Sequence, residues 1–348
     1  MTTPTPRLED IAAHVGCSIS TVSRALAGNS SISVQMCGRI EQVATQLGYS
    51  LPVAGRKPRK AKTRTIGIVI DVLQNNPLMT QLLEHLDAAL HEAGYRAILI
   101  MESMLQRGRL SDARPLIDSF LDGMIFASAT LGSRIVADLQ ARGMPLVLVL
   151  RSTGAQSVDT VEIDNVHAGA QAAQLLHDLG HRRIGLVMGP RNTSTSHDRA
   201  QGALTCLDGA GIPGERLPVS WGEYTSESGY SATMALLSNP EPVSAIFAGN
   251  DMVAIGVLEA ARRHGVDVPG QLSVIGFDDI PLARSPLISL TTVRQPVEAM
   301  ARLAARRLVD RLEMRGPAQP VHDFLPGRLV QRGSIAGPAP HHPAGSER

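Results

Sequence analysis

Aromatic side chains are scarce in this chain of 348 residues: one Trp, four Tyr and five Phe, 3% in all, although 43% of the residues are hydrophobic. The core must therefore be aliphatic, and the composition excludes both a disordered tail and a collagen-like repeat. Cysteine is also sparse. Cys17, Cys37 and Cys206 are odd in number, far apart and without C-x-x-C spacing, which excludes a disulfide scaffold and a cysteine-only zinc site. Aliphatic runs such as Leu146–Leu150 fall far short of the roughly 18 residues that span a bilayer, so no membrane contact is expected. The opening segment Met1–Pro6 is polar and lacks a secretory signal, which predicts a cytoplasmic address. No G-x-S-x-G elbow, H-E-x-x-H pair or Walker lysine occurs, and no catalytic constellation can be assembled. The expectation is a protein that is not an enzyme, with no catalytic residues, no metal site and no cofactor. The length leaves room for two domains and a small third.

What is present is uneven charge. The net charge of +1 hides a division near Arg64. Residues 1–64 carry nine Lys or Arg against three acids, a net of +6; the remainder carries 24 against 29, a net of −5. Six of the nine cations lie in Arg56–Arg64, where Gly55 and Pro58 oppose a long helix. A small basic module in front of a mildly acidic body predicts that only the front end meets a polyanion.

In that front end, Leu8, Ile11, Ala12 and Val15 recur at helical spacing until Gly16 stops them. Ser18 can cap a second helix that buries Val22, Ala25 and Leu26 and leaves Ile19, Ser20, Thr21, Ser23 and Arg24 less covered. A third helix, started by Ser33, supplies Ile40, Val43, Ala44 and Leu47 as an apolar wall. The expected product is a helix-turn-helix on a three-helix core, whose second helix enters the major groove of double-stranded DNA. Ile19, Ser20 and Arg24 are the expected base readers, Arg24 through a bidentate contact to guanine and Ile19 through an apolar one. Thr21 and Ser23 are expected on phosphates, and Ser18, Asn29 and Arg56 complete the DNA-binding set.

After Arg64 the chain alternates short aliphatic strands (66–72, 97–101, 123–127, 146–150, then 184–187, 245–248, 273–277) with amphipathic helices (78–92, 134–142, 166–179, 226–237, 252–264, 297–312). Alternation of this kind predicts parallel sheets covered by helices, and two sets predict two α/β lobes. Ligands of such sheets bind beyond the carboxyl ends of the strands. Those ends carry Asn75-Asn76-Pro77, Arg151-Ser152, the 189–199 segment, Gly249-Asn250-Asp251 and Asp278-Asp279, groups suited to a polar, hydroxyl-bearing ligand. Two decoys stand beside them. Gly209–Gly214 has the letters of a dinucleotide fingerprint but reads as a loop, and His177 and His181 are four apart but separated by Gly180, which predicts no metal pair.

The stretch Leu8–Leu26, with Thr-Val-Ser-Arg at Thr21–Arg24, and the later Leu47-Gly48-Tyr49 resemble the DNA-binding signature of the lactose-repressor (LacI/GalR) family of bacterial transcription regulators. The similarity continues to about residue 335 through Gly180-His-Arg-Arg-Ile-Gly, Ser194-Thr195-Ser196 leading to Arg199-x-x-Gly202, Gly249-Asn250-Asp251, Gly276-Phe277-Asp278-Asp279 and Thr291–Pro296. It implies an α/β chain in which a three-helix helix-turn-helix domain (1–56) and a basic linker (57–64) precede a two-lobed, periplasmic-binding-protein-like effector domain with parallel sheets (65–337). Lobe 1 would take 65–162 and 292–322, lobe 2 163–290 and 323–337, and 338–348 would be a disordered tail. The resemblance further implies a homodimer on a pseudo-palindromic operator, a repressor by family habit, with a small-molecule effector, a sugar or sugar acid, between the lobes. The alternative is a solute-binding protein without DNA binding. By position, Arg199 and Asp278 would grip ligand hydroxyls, Asn250 would bridge the cleft, and Tyr224 would stack on the ligand. Asn76 and Leu78 would reach in from the first lobe, and Arg151, Thr195 and Gln295 would complete the lining. Three positions depart from the family pattern: Pro58 replaces a leucine that wedges into the minor groove, Cys37 replaces a phosphate-binding arginine, and Leu150, followed by Arg151, replaces an acid that sugar-binding relatives often carry after the fourth strand, which favours a sugar acid or other anionic ligand over a neutral sugar.

Overall fold

The amino-terminal helices form where the apolar spacing puts them. In the computed structural model, which describes residues 8–26, 32–47, 63–71, 77–105, 117 and 119–338, α1 spans Leu8–Val15, α2 Ile19–Leu26 and α3 Val34–Gln46. The chain divides into two units, Met1–Lys62 and Thr63–Arg348. In the first, Ile11, Ala12, Val15, Val22, Ala25, Ile40 and Ala44 close a small core, with Val43 and Leu47 packed against it. Gly16 ends α1 with φ +74°, a left-handed conformation that returns the amides of Gly16 and Cys17 to the Ala12 carbonyl at 2.9 and 3.1 Å. Ser18 Oγ then accepts the Thr21 amide at 3.1 Å and starts α2. Cys37 is half-buried against this core and its thiol points at the Ile32 carbonyl, 3.9 Å away. Asn29, Arg56, Pro58 and Asn76, the linker through Lys62, the tail beyond Pro338 and the Leu26 side chain lie outside the described residues.

The second unit is built on two six-stranded sheets. The first joins β1 (Thr65–Ile70), β2 (Arg96–Met101), β3 (Gly123–Phe126), β4 (Leu146–Val149), β5 (Asp159–Ile163) and β11 (His322–Leu325) in the order β11-β5-β4-β3-β1-β2, parallel throughout. Its inner strands β1, β3, β4 and β5 are buried on both faces: Ile66, Ile68 and Ile70 share one core with helices α4 (Pro77–Glu92) and α10 (Val297–Leu312), and Val69 shares another with α5 (Arg134–Ala141). Near-continuous aliphatic strands are what such two-sided burial requires. The second sheet joins β6 (Ile184–Met188), β7 (Val219–Trp221), β8 (Ala245–Ala248), β9 (Ser273–Asp278), β10 (Thr291–Arg294) and β12 (Arg328–Val330) in the order β12-β10-β9-β8-β6-β7, with only β12 antiparallel.

Two helix pairs cover the second sheet, α6 (Asn165–Asp178) with α7 (Ser194–Gly209) and α8 (Ser226–Leu237) with α9 (Asp251–Arg263). Each pair meets backbone to backbone at two glycines. A Cβ on Gly202 would stand 1.9 Å from the Val166 carbonyl oxygen, and one on Gly169 2.2 Å from that of Arg199. The glycine of the Arg199-x-x-Gly202 motif thus lets α7 lie against α6 and carries Arg199 to the start of that helix.

Two expected lobe boundaries are corrected. β10 pairs with β9 and β12, so the chain leaves lobe 2 after Arg294 rather than before residue 292. β11 pairs with β5, so lobe 1 extends through Leu325 rather than ending at 322. Strands of four residues carry no mark of which sheet they join, because that is decided by pairing partners distant in the chain. The lobes are therefore joined by three crossings, between β5 and α6, between β10 and α10, and between β11 and β12. The decoys resolve as loops and core: α7 ends at Gly209, Gly211 has φ +81°, and the buried His181 ring bonds Ser244 Oγ at 2.9 Å and the Ala336 carbonyl at 2.8 Å.

Candidate ligand cleft and DNA-reading helix

On the first unit, α2 presents an uncovered polar face. Ile19 is 47% exposed although it is a large apolar residue, and Ser18, Ser20, Ser23 and Arg24 are exposed beside it. The Ser18 hydroxyl lies 2.9 Å from that of Ser20 and 2.8 Å from that of the half-buried Thr21. Arg24 folds back on its own helix, its guanidinium donating to the Ser20 carbonyl and hydroxyl at 3.3 Å each. These intrahelical bonds hold the guanidinium on the same face as Ile19 and Ser20. A single face therefore offers one apolar group, several hydroxyls and one planar five-donor cation, the combination that reads base edges and phosphates.

On the second unit, a cleft lies between the lobes at the carboxyl ends of the strands. Leu78, Arg151, Thr195, Arg199, Tyr224, Asn250, Asp278 and Gln295 line it together with Met79 and Leu150. Every expected ligand residue among the described ones is thus brought to one place; Met79 and Leu150 were not foreseen as lining. Arg199 is buried on α7, its Nε donating to Asn165 Oδ1 at 2.9 Å and its Nη1 to the Gly249 carbonyl at 2.7 Å, while its guanidinium lies 3.5 Å from the centre of the Phe277 ring. Asn165 and Phe277, which seat this arginine, escaped the reading of the sequence; Phe277 sits within a motif already noted, whereas Asn165 carries no local signal.

Asp278 ends β9 and accepts a hydrogen bond from Gln295 Nε2 at 2.7 Å, linking the cleft to the crossing that follows β10. Burial pushes its carboxyl up to about 6, against the opposing pull of Arg199, Gln295 and Arg151. Its neighbour Asp279 faces away and is ion-paired with Arg332, Arg294 and Arg284 at 2.6, 2.5 and 3.2 Å. Burial alone would raise Asp279, but the hydrogen bonds from Arg294 and Arg332 hold it below its ordinary value. Asp251, at the start of α9, is raised well above the usual range by burial and by Asp278, and joins Thr292 Oγ1 at 2.6 Å. Leu150 and Asp278 have φ of +68° and +116°. Backbone strain of about 1 to 3 kcal/mol at each position aims these residues and persists because the surrounding core holds it.

Tyr224 is fixed by its hydroxyl, 2.9 Å from Thr195 Oγ1 and 2.6 Å from Ser196 Oγ, and its ring lies where a Cβ on Gly189 would be at 2.4 Å. Asn250, expected to bridge the cleft, uses its Oδ1 to cap α9 through the Val253 amide at 2.9 Å. The residue sits at the N-cap, where an Asx side chain satisfies an otherwise orphaned amide, and it also lines the cleft. The lobes touch across the cleft through the Ser152 amide to Ser194 Oγ at 2.9 Å and the Leu131 amide to the Asn192 carbonyl at 2.8 Å. The gap is about 30 Å³, room for water but not for a sugar ring. Entry of a ligand therefore requires the lobes to part.

Among the described residues no helix is long and apolar enough to cross a membrane, and no group of three or more His, Cys, Asp or Glu is placed to hold a metal ion. Two family models match the chain, "Bacterial regulatory proteins, lacI family" over residues 7–51 and "Periplasmic binding protein-like domain" over residues 173–335. The HTH-type transcriptional repressor CytR of Escherichia coli is 31% identical over 310 residues, 88% of this chain and 89% of that protein. The HTH-type transcriptional regulator CelR of Thermobifida fusca is 32% identical over 338 residues, 94% and 98% respectively. The solved structure of a transcriptional regulator CelR–cellobiose complex superimposes with a TM-score of 0.73 at 31% identity, covering 94% of this chain and 99% of that one. A solute-binding protein without a DNA-binding module does not account for the match at the amino terminus. The chain belongs to the lacI family of bacterial DNA-binding transcription regulators.

Proposed function

We propose that this protein is a ligand-responsive repressor that acts as a homodimer in the cytoplasm and has no enzymatic activity. Two copies of α2 read the half-sites of a pseudo-palindromic operator, with Ile19, Ser20 and Arg24 on base edges and Ser18, Thr21, Ser23, Asn29 and Arg56 on the backbone. A small polyhydroxylated molecule, a sugar or sugar acid, binds between the lobes on Arg199, Asp278, Asn250, Thr195, Gln295, Arg151, Tyr224, Leu78 and Asn76. The observation that carries this reading is the convergence of the cleft-lining side chains on the crossings that join the lobes. Arg199 leans on Asn165 at the first crossing, and Asp278 on Gln295 at the second. A ligand that engages Arg199 and Asp278 has different contacts in the open and closed lobes and so shifts their equilibrium.

Cellobiose in the CelR complex is precedent for a sugar in such a cleft. Operator fragments selected from genomic DNA test the reading. The full-length protein is expected to retain a specific fragment at physiological salt and to release or tighten it when the ligand is added. Attachment to every fragment alike, abolished by moderate salt, would refute it.

A further inference from the structure

The charges of the cleft do not balance. Among the described residues three charged side chains line it, Arg151, Arg199 and Asp278, two guanidinium groups against one carboxylate. Arg199 directs its hydrogen bonds to neutral acceptors, the Asn165 side chain and the Gly249 carbonyl. Asp278 receives its hydrogen bond from a neutral amide, Gln295. Arg151 is half-buried at the carboxyl end of β4, aimed by the left-handed backbone of Leu150 beside it. Among the described residues its guanidinium has no hydrogen bond or ion pair, only the face of the Tyr224 ring 5.6 Å from Cζ. A cation–π contact offsets only part of the cost of drawing a guanidinium out of water, and closing the lobes over it leaves one positive charge in excess.

We infer that the effector is a polyhydroxylated monocarboxylate, a sugar acid, whose carboxylate seats on the uncommitted fork of Arg151 while its hydroxyls meet Arg199, Asp278 and Asn250. This rests on the cleft being the effector site proposed above. One carboxylate neutralises the excess, whereas a dianionic phosphate ester would overshoot it. A guanidinium pairs with a carboxylate in a bidentate, charge-assisted geometry that a neutral sugar hydroxyl cannot match. Asp278 directs the orientation, because it repels the carboxylate and accepts from hydroxyl donors.

The test uses full-length protein and matched acid and neutral ligands: D-gluconate and D-glucuronate against D-glucose, and D-galacturonate against D-galactose, with D-glucose 6-phosphate as the dianion. Binding is read by thermal shift and by the fluorescence of Trp221, the single tryptophan, at the end of β7. At least one acid is expected to raise the melting temperature saturably where its neutral parent does not. Arg151→Gln should weaken that acid roughly 10- to 150-fold, the loss of charge-assisted hydrogen bonds, with Arg151→Lys intermediate. An unchanged ligand-free melt would show that each variant folds. Binding of a neutral sugar with affinity indifferent to Arg151→Gln would overturn the inference and leave the cleft as the effector site. So would binding of the phosphate ester alone. No shift with any member, acid or neutral, would count against the inference and against the cleft reading together.

Discussion

Asp278→Asn separates what the cleft does from what it costs. The carboxyl is pushed from 3.8 up to about 6 by burial, so between those values the folded protein holds a proton that the unfolded chain releases. Stability therefore falls as pH rises through that window. Two pH units at about 1.4 kcal/mol each amount to roughly 3 kcal/mol withheld at pH 8 and restored below pH 4. Asparagine cannot ionise, and its carbonyl can still accept from Gln295 as the carboxylate does at 2.7 Å. In the ligand-free protein the variant is expected to melt higher than the parent at pH 8, by up to roughly 6 °C for a body of this size, and equally at pH 4. Ligand response should be lost at the same time. Calorimetric melts at the two pH values, with urea titrations at pH 8, measure the difference. A variant less stable than the parent at pH 8, or an offset of equal size at both pH values, would refute the reasoning that burial of charge dominates at this position.

Arg24→Ala should weaken specific operator binding by about 1 to 3 kcal/mol and relax discrimination at one base pair per half-site, with little change in binding to random DNA; fluorescence anisotropy on a set of single-base operator variants reads both. Gly202→Ala places a methyl 1.9 Å from the Val166 carbonyl oxygen, so α6 and α7 must separate. Melting should fall, and ligand affinity should fall with it because Arg199 no longer reaches Asn165; unaltered ligand affinity in thermal-shift titrations would contradict that link.

The parts of the fold that repeat locally were legible in the sequence. The three amino-terminal helices follow from apolar spacing and from Gly16, Ser18 and Ser33, whose backbone roles act within a turn of where they stand. The principal aliphatic strands announced themselves because burial on both faces demands runs such as Leu146–Val149. The short strands β5, β7, β10, β11 and β12 carry little local signal, since Asp159–Ile163 or His322–Leu325 alternate weakly and owe their conformation to partners far along the chain. The same limit explains the misplaced lobe crossings. In the cleft, residues carried by motifs were found, and those that act through tertiary contact were not: Asn165 seats Arg199 across a helix pair whose approach depends on Gly202 and Gly169. The N-cap role of Asn250 was readable from Asn-Asp before a helical pattern, and it stands beside the residue's place in the cleft lining.

The central claim is that the cleft and the reading helix are thermodynamically linked. The most direct measurement is operator affinity at saturating effector and without it, paired with effector affinity on free and operator-bound protein. The account predicts that both affinities change by one and the same factor, about 5- to 150-fold for a coupling of 1 to 3 kcal/mol. An effector that binds the cleft and leaves operator affinity unchanged would contradict it.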